Sequence, residues 1–422
     1  MIKNPYKNVA ALLGSDDNHY KTDLHAHSTV SDANEDYSVM IKGFYDRDYD
    51  ILGFADHGVI GKYWNEEPAH LPLYRYQTLT GKKVTKLTDR EYADITGGSC
   101  PSPTRTKKRG MQCLSGGIEL NMLTLTKSHV NGYFCGFGQN NCGFENGFEY
   151  AVKHVQAAGG ISVINHPGDW LDSAKDFSIA KKPENVRFFG EIFNRYPSCL
   201  GMEVFNETDT CTRADRILWD ALLQYVLPHG KRTLWGFANS DAHVLDRTDT
   251  SFMDLILPDF SEQNVKACME NGEFFAVGRR ARPELGNDFV GTGAYPSVIA
   301  LTVDEEAETI AVTAKNADKL QWIANGKLLS ETAEKQADGT IRSTLRARDF
   351  GGDITCYVRF QLAGRGGICL SQPFILDRGD MAKYILPDPR SERQKKLEKA
   401  LFILKSARVY VLAQEIAKAV KK

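Results

Sequence analysis

The sequence predicts an α/β protein: a barrel of βα units, followed by a small antiparallel β-sandwich and a C-terminal helix. From Tyr20 to about Leu257, short apolar runs alternate with helix-like segments, which is typical of βα units around a mostly parallel sheet. After Pro296, short alternating runs are separated by Asn-Gly, Asp-Gly and Gly-Gly, which is typical of antiparallel strands joined by tight turns. Residues 389–422 carry apolar side chains near helical spacing.

Eight apolar runs are the predicted strands of the barrel. They are 20–25, 51–56, 113–120, 130–137, 161–166, 200–205, 233–241 and 252–258. Helices are predicted between them at 39–46, at 148–158, at 213–226 ending before Pro228, and at 261–270 ending at Gly272. This number of strands fits a complete or slightly irregular barrel better than an open sheet, although periodicity alone does not separate the two.

One connection in the predicted barrel is unusually long. Residues 58–112 lie between two strands, and 62–111 contain ten Lys/Arg against five Asp/Glu. A loop of that length is typical of a lid or an insertion. It either offers positive charge to an anionic substrate or is a solvated surface excursion.

The predicted division of the chain is 1–290 for the barrel with its insertion at 58–112, 291–380 for the β-sandwich, and 381–422 for a basic amphipathic helical tail. Residues 389–422 contain ten Lys/Arg and three Glu. We expect the tail to pack on the body through an apolar face that includes Leu401, Leu404, Leu412, Ile416 and Val420. Contact of the tail with nucleic acid or membrane is the alternative.

Composition excludes several classes of protein. The formal net charge of the 422 residues is -2, so no overall field attracts nucleic acid or an anionic membrane. The N-terminal residues lack a secretory apolar stretch, and no later run approaches the length that spans a bilayer, so we expect a soluble cytoplasmic protein without a membrane partner. Nine scattered cysteines without a CxxC pair argue against a disulfide framework and a thiolate zinc site.

The positions of the histidines carry the functional prediction. Six of the ten lie at or just past predicted strand ends: His25, His27, His57, His129, His166 and His243. Such a histidine taken singly is more often a hydrogen-bonded or surface residue, but these six occur with three carboxylates, Asp32, Glu119 and Asp241. In a barrel, all nine would meet at the C-terminal mouth. His19, His70, His154 and His229 lack the pattern and are expected to be structural.

The donor types indicate which metal ions would suit these nine residues. His25 and His27 are two positions apart, so in an extended strand both side chains leave the same face and can hold one ion. Histidine and carboxylate ligands without cysteine favour Zn, Mn or Fe over Mg. The sequence therefore predicts bound divalent metal ions, two of which the oxygens of Glu119 could bridge.

The motifs resemble those of the PHP (polymerase and histidinol phosphatase) family of metal-dependent phosphoesterases. The opening motif HxHSxxSD is matched by residues 25–32, and the later motifs by Asp56-His57, by Gly117-Ile118-Glu119 with His129, by Asn165-His166-Pro167 and by Ser240-Asp241-Ala242-His243. The resemblance implies a distorted (βα)7 barrel. Residues 271–279 and 371–373 also resemble junction and closing-strand signatures of a subgroup in which a β-sandwich follows the barrel.

The resemblance also implies metal ligand sets. One ion would be held by His25, His27, Glu119 and Asp241; a second by Glu119, His129 and His166; and a third by Asp32, His57 and His243. Asp56 would orient His57 rather than bind a metal.

The leading functional hypothesis is hydrolysis of a phosphomonoester or phosphodiester of a small metabolite or nucleotide by a hydroxide that bridges the metal ions. Asp241 or His243 would carry a proton to the leaving oxygen, and Arg195 and Asn206 would contact the substrate. The enzymatic alternative is a metal-dependent carboxylester or carbamate hydrolase on the same centre. A non-catalytic metal-binding scaffold and a free-standing nuclease acting on short nucleic acid also stay open, as does the oligomeric state.

Overall fold

The computed structural model describes residues 2–69, 82–121, 127–141, 147–230 and 232–406. Its helices are α1 (Tyr37–Tyr45), α2 (Asp89–Gly97), α3 (Phe148–Ala157), α4 (Pro167–Leu171), α5 (Pro183–Arg195), α6 (Asp215–Gly230), α7 (Glu262–Asn271), α8 (Arg282–Leu285) and α9 (Glu392–Ser406). No helix in these ranges is both long enough and apolar enough to cross a membrane.

Twenty strands complete the described structure. The first eleven are β1 (Ile2–Lys3), β2 (His19–Ala26), β3 (Ile51–Phe54), β4 (Gln112–Cys113), β5 (Ile118–Leu120), β6 (Val130–Tyr133), β7 (Ile161–Ile164), β8 (Cys199–Phe205), β9 (Trp235–Ala238), β10 (Ser251–Ile256) and β11 (Phe274–Gly278). The others are β12 (Ser297–Asp304), β13 (Thr309–Lys315), β14 (Lys319–Ala324), β15 (Lys327–Glu331), β16 (Glu334–Lys335), β17 (Ile341–Arg346), β18 (Tyr357–Gly364), β19 (Gly367–Leu370) and β20 (Phe374–Leu376).

The strands of the predicted barrel form parts of two sheets. The five-stranded sheet has the order β5-β6-β7-β8-β9, and the large sheet includes the run β11-β10-β2-β3-β4. Two isolated bridges, Ala26 with Ala242 and His57 with Glu119, connect the two sheets. The described residues are therefore a mixed α/β structure without the closed barrel that the sequence predicts.

Local geometry explains this difference. The pairing of β2 with β3 shifts register between Asp23 and Ala26, and that of β8 with β9 shifts between Glu203 and Phe205. Residues 121–129 are too few for a crossover helix, so β5 and β6 run antiparallel. Regular pairing therefore lapses at the strand ends, where the predicted ligands lie.

The helix ends follow local capping chemistry. At α7, the Ser261 hydroxyl accepts from the Asn264 N–H at 3.1 Å, and Gly272 ends the helix at φ 73°. The sequence predicts that α6 ends before Pro228, but the helix continues to Gly230 and holds Pro228 in its last turn. A proline has no N–H to donate to the carbonyl four residues before it, but the loss of that one bond does not terminate this helix.

Helix α5 is absent from the sequence prediction, and Gly190 lies in its interior. In the structure, a Cβ atom at position 190 would lie 2.3 Å from Cδ1 of Tyr225 on α6. The glycine therefore permits close packing of α5 on α6.

The strands after Pro296 are antiparallel to their neighbours. β12, β13, β17 and β16 form a four-stranded sheet, whereas β14, β15, β18, β19 and β20 belong to the large sheet. β19 pairs with β11, and β11 pairs with β10, which pairs with β2. Trp322 and Phe360 of the large sheet share one hydrophobic cluster with Ile310 and Leu345 of the four-stranded sheet. The sequence does not predict β11, the strand that joins the C-terminal strands to β10 and β2.

Helix α9 packs on the body through a different face from the predicted one. The ring of Phe402 stacks on Phe188 with centroids 4.2 Å apart, whereas Leu401 and Leu404 are 56% and 52% exposed. Phe402, rather than a leucine, faces the body because its ring extends an aromatic cluster that includes Trp170 and Phe188. The predicted face residues Leu412, Ile416 and Val420 lie outside the described residues.

Candidate metal centre

The structure brings all nine predicted ligand residues together at one end of the strands. His25 lies at the end of β2 and His27 follows that strand; His57 follows β3, Glu119 lies in β5, His129 precedes β6, His166 follows β7, and Asp241 and His243 follow β9. Asp32 comes from the loop after β2. Seven of these residues line a cavity of about 280 Å³, and His25 and His27 are fully buried. We call these nine candidate ligands the ligand cluster.

Glu119 lies at the centre of the ligand cluster. Its two carboxylate oxygens lie within 3.5 Å of nitrogens of five imidazoles: His25 Nε2 at 3.2 Å, His27 Nε2 at 3.3 Å, His57 Nδ1 at 3.0 Å, His129 Nδ1 at 3.2 Å and His166 Nε2 at 3.5 Å. The carboxylate is almost completely buried. One acidic group therefore faces most of the histidines predicted for the centre.

Asp241 and Asp32 approach the same imidazoles from other sides. Asp241 Oδ1 lies 3.1 Å from His27 Nε2 and 3.6 Å from His243 Nδ1. Asp32 Oδ1 lies 3.3 Å from His243 Nε2, and its Oδ2 lies 3.6 Å from His57 Nε2. His57 and His243 thus each lie between two carboxylates.

Three groups of ligand atoms are close enough together to hold metal ions. They are His25, His27 and Glu119; His57, Glu119 and His129; and His27, Asp32, His57 and His243, with the atoms of each group within 4.8 Å of one another. The second group contains His57 where the resemblance implies His166, and the third adds His27. The reason is the position of His57, whose two nitrogens face Glu119 and Asp32.

Unpaired buried atoms in the ligand cluster fit bound cations. Among the described residues, His25 Nε2, His27 Nε2, His57 Nδ1 and Asp241 Oδ1 are buried without a hydrogen-bond partner. A buried polar atom without a partner is costly, at about 1–3 kcal/mol each. Imidazole nitrogens and carboxylate oxygens are donors for divalent Zn, Mn or Fe, so the donor set is compatible with metal binding.

Mutual attraction determines the charges in the cluster. Burial alone would raise the pKa of Glu119, but the surrounding imidazoles hold it well below its ordinary value. The pKa of Asp241 is likewise well below its ordinary value, because His25 and His27 outweigh burial. Burial lowers the pKa of His57 to about 4. Burial would also lower the pKa of His166, but Glu119 and Asp241 raise it to about 9.

Two ligand positions have unusual backbone geometry. His166 has φ 27° and Asp241 has φ 47°, in the left-handed region that residues with a Cβ adopt at a cost. The N–H of Asp241 donates to the carbonyl of His25 at 2.8 Å. The chain therefore holds these two side chains in place through a strained but hydrogen-bonded turn.

Glu203 supports the cluster from behind and is a residue that the sequence analysis missed. Its fully buried carboxylate accepts from His25 Nδ1 at 2.8 Å, Asn239 Nδ2 at 3.0 Å, Asn206 Nδ2 at 2.9 Å and the backbone N–H of His166 at 3.2 Å. The available signal was an acidic residue inside the apolar strand 200–205, because a carboxylate there requires partners.

Two further buried carboxylates join the segments that carry ligands. Asp23 accepts from the N–H groups of His25 and Ser240, both at 3.0 Å, and burial raises its pKa to about 7. Asp56 accepts from the Ser28 N–H at 2.9 Å and the Ser31 hydroxyl at 2.6 Å. The expected contact of Asp56 with His57 is replaced by these bonds, because the Ser28–Ser31 loop folds over the carboxylate.

The two predicted substrate contacts have different positions. Asn206 lines the cavity, and its Nδ2 also lies 3.3 Å from Asp241 Oδ2. Arg195 is at the end of α5, where it is ion-paired with Glu149 and lines a separate pocket beside α9. The structure therefore brings Asn206 to the cluster and leaves Arg195 away from it.

The basic insertion has structural contacts in its described part. Arg109 and Lys107 bind the buried Asp50, and Arg105 donates to the carbonyl of Tyr45 at 2.7 Å. None of the lysines and arginines described in 58–69 and 82–112 lines the cavity. Lys127 does line it, as the single lysine among the described lining residues, and pairs with Asp169 at 2.7 Å.

Comparisons with known proteins give distant structural likeness but no match of sequence. No family model matches the chain, and no curated protein matches it. The chain is similar to a solved two-domain protein from Bacteroides vulgatus ATCC 8482 described as containing a predicted PHP-like metal-dependent phosphoesterase. The identity is 16%, the match covers 84% of this chain and 95% of that one, and the TM-score is 0.41. In this chain, the residues that resemble PHP motifs meet in one cluster of donors compatible with a metal site.

Proposed function

We propose that this protein is a metal-dependent phosphoesterase of the PHP type, which hydrolyses a phosphomonoester or phosphodiester of a small substrate. The observation that supports the proposal is the convergence of the nine motif residues, from separate strand ends, around the buried carboxylate of Glu119. A complete set of histidine and carboxylate donors is what a multinuclear hydrolytic centre requires. A scaffold that had lost catalysis would be expected to lack some of them.

The ligand cluster would hold two or three Zn, Mn or Fe ions. One proposed set of ligands is His25, His27 and Glu119, with Asp241 beside them. Another contains Asp32, His57 and His243. Between these two sets lie Glu119 and His129, with His57 on one side and His166 on the other. Such ions supply Lewis acidity, which activates water near neutral pH and neutralises phosphoryl oxygens. Glu203 holds the His25 ring so that Nε2 faces Glu119.

Proton transfer to the leaving oxygen is the role proposed for Asp241 or His243. Both side chains line the cavity and lie 3.6 Å apart. Asn206 donates to Asp241 Oδ2 at 3.3 Å and so restrains its carboxylate. The pKa of Asp241 lies well below its ordinary value, whereas that of His243 is raised, against burial, by Asp32 and Asp241. His243 is therefore the one of the two that would hold a proton and deliver it to a departing alkoxide.

The cavity lining favours phosphate over the carboxylester or carbamate alternative. Apart from the ligand cluster, the described lining residues are Lys127, Asp169, Asn206, Glu207, Thr210, Cys211 and Thr212. A neutral ester with an apolar body would be expected to require aliphatic or aromatic walls. These polar walls suit a charged, hydrated substrate instead.

The proposal is tested by turnover of three chromogenic esters: 4-nitrophenyl phosphate, bis(4-nitrophenyl) phosphate and 4-nitrophenyl acetate. We expect metal-dependent release of 4-nitrophenol from a phosphate substrate, and loss of both bound metal and turnover in the His25→Ala, His27→Ala double variant. His154→Ala is the matched control, because the His154 ring stacks on Phe137 away from the cluster. Turnover of the acetate alone would support the carboxylester alternative, and bound metal without any turnover would favour the scaffold.

A further inference from the structure

We propose that the substrate is a small polyhydroxylated phosphomonoester, a sugar or polyol phosphate, whose hydroxyl groups bind the wall of the cavity beside the ligand cluster. This inference rests on the proposed function and specifies its substrate class. We call this surface the outer wall; its residues are Lys127, Asp169, Asn206, Glu207, Thr210, Cys211 and Thr212.

The chemistry of the outer wall suits hydroxyl groups. It presents carboxylates, an amide, threonine hydroxyls and an ammonium group, which together accept and donate hydrogen bonds. Among the lining residues that the structure describes, no phenylalanine, tyrosine, tryptophan, leucine, isoleucine or valine is present. A nucleobase is normally held by stacking on an aromatic face. The outer wall therefore favours a sugar or polyol over a nucleoside.

The charges of the outer wall are already matched in pairs. Lys127 Nζ lies 2.7 Å from Asp169 Oδ1, and Arg247 Nη1 lies 3.1 Å from Glu207 Oε1. Because each carboxylate has its own cation, the wall does not require an ionic group on the organic part of the substrate. A hydroxyl group can both donate to such a carboxylate and accept from its cation. The phosphate would be the charged part, at the ligand cluster.

The loop that carries Glu207 and Thr210 is rigidly held. Asp209, between them, accepts from Arg216 Nη2 at 2.9 Å and from the N–H of Arg282 at 2.7 Å. Glu207 and Asp209 have φ 45° and 55°, a conformation that persists only when the surroundings fix it. Thr208 and Thr210 share a hydrogen bond of 2.9 Å. Polar groups held in this way can select substrates by hydrogen-bond geometry.

The cavity is small. Its volume of about 280 Å³ has room for a phosphoryl group and a short organic part. Pockets for drug-sized ligands begin at about 300 Å³, so this cavity suits a molecule of a few carbons up to a hexose.

The test compares the binding of two phosphonates that resist hydrolysis and differ only in hydroxylation: 3,4-dihydroxybutylphosphonate and butylphosphonate. Calorimetric titration of protein reconstituted with Mn²⁺ measures both dissociation constants without turnover. We expect the dihydroxy compound to bind about tenfold more tightly or better, because two added neutral hydrogen bonds contribute about that factor. Phenylphosphonate should bind no better than butylphosphonate.

Variants assign the preference to the outer wall. Thr210→Val and Glu207→Gln should each reduce the preference for the dihydroxy compound several-fold, while inorganic phosphate binds as before. Thr208→Val is the matched control. Thr208 does not line the cavity, but its replacement removes the same type of hydroxyl and breaks the same hydrogen bond between Thr208 and Thr210. It should leave the preference unchanged.

Equal affinity for the two butylphosphonates would overturn the inference while leaving the proposed function in place. Tighter binding of phenylphosphonate than of the dihydroxy compound would also overturn it, because it would reveal an apolar or stacking wall. The inference would also be overturned if neither Thr210→Val nor Glu207→Gln reduced the preference for the dihydroxy compound. Failure of the loaded protein to bind inorganic phosphate at all would overturn the proposed function, and this inference with it.

Discussion

At the scale of single residues, Glu203 links several candidate metal ligands through hydrogen bonds. It contacts the ring of His25, the backbone of His166 and the amide that restrains Asp241. A carboxylate behind a metal-binding histidine fixes which ring nitrogen faces the metal and increases its basicity. The geometry of the centre therefore depends on a residue that would contact no ion.

Glu203→Gln should weaken metal binding by about 10–100-fold, the range for residues that orient metal ligands. The amide keeps the shape but has one acceptor oxygen where Glu203 accepts four hydrogen bonds. Competition with a metallochromic chelator measures the affinity. Glu149→Gln is the control, because Glu149 pairs with Arg195 at the surface. Equal affinity in wild type and Glu203→Gln would contradict the assigned role.

His19, which the sequence predicts to be structural, contributes to stability in a pH-dependent way. Burial opposes its charged form, but Asp254 at 2.8 Å and the carbonyl of Leu13 raise its pKa above the ordinary value of 6.5. Because the folded pKa is the higher one, the stabilisation is complete below about pH 6.5 and is lost as pH rises through the folded value.

Denaturant unfolding of wild type and His19→Asn from pH 5.5 to 9 measures this contribution. We expect the free energy of unfolding to be higher for wild type than for the variant. The difference should be largest at low pH and should shrink above pH 6.5. The subtraction removes the pH dependence of the ligand cluster, which both proteins share. A difference that grows with pH would show that His19 is neutral in the folded state.

At the scale of elements, the sequence predicts helices best where capping and periodicity agree. Helix α7 begins and ends near its predicted limits because Ser261 and Gly272 have the expected capping roles. Helix α5 is missed because Gly190 lowers local helix propensity. A glycine is needed at this position because Tyr225, distant in the sequence, packs against it. Tertiary contacts of this kind are invisible to a local pattern.

Gly190→Ala should destabilise the protein by about 1–3 kcal/mol, because the added methyl would overlap Tyr225 and force α5 and α6 apart. Gly97→Ala in α2 is the matched control, since a Cβ there meets no atom within 4 Å. That change should stabilise by up to about 1 kcal/mol through helix propensity. Chemical denaturation measures both, and a stabilising Gly190→Ala would refute the packing argument.

At the scale of the whole molecule, the sequence predicts an α/β protein and nine residues that the structure does bring together. It does so because the motif residues occur at the ends of apolar runs, and strand ends meet at one edge of a sheet. It does not predict the division into two sheets, the pairing of β11 with β19 or the contacts of Glu203. Those depend on register and on partners distant in the chain.

Removal of metal should lower the thermal unfolding temperature, because the buried atoms of His25, His27 and Asp241 would lose the ions that they are proposed to bind. Differential scanning calorimetry with and without a chelator measures the shift, which added Mn²⁺ should reverse. The His25→Ala, His27→Ala variant should show a much smaller shift. An unchanged transition in wild type would argue that the ligand cluster is stable without ions.

The large sheet has a consequence for the synthesis of this chain. β1 pairs with β20, and β11, two strands from the ligand-bearing β2, pairs with β19. A nascent chain that has just emerged from the ribosome as far as β11 therefore has an open strand edge beside the region that will carry the ligands, and such edges recruit other chains. This edge stays open until β19, which comes much later in the chain, has been synthesised, so chaperones that shield strand edges should raise the yield of folded protein.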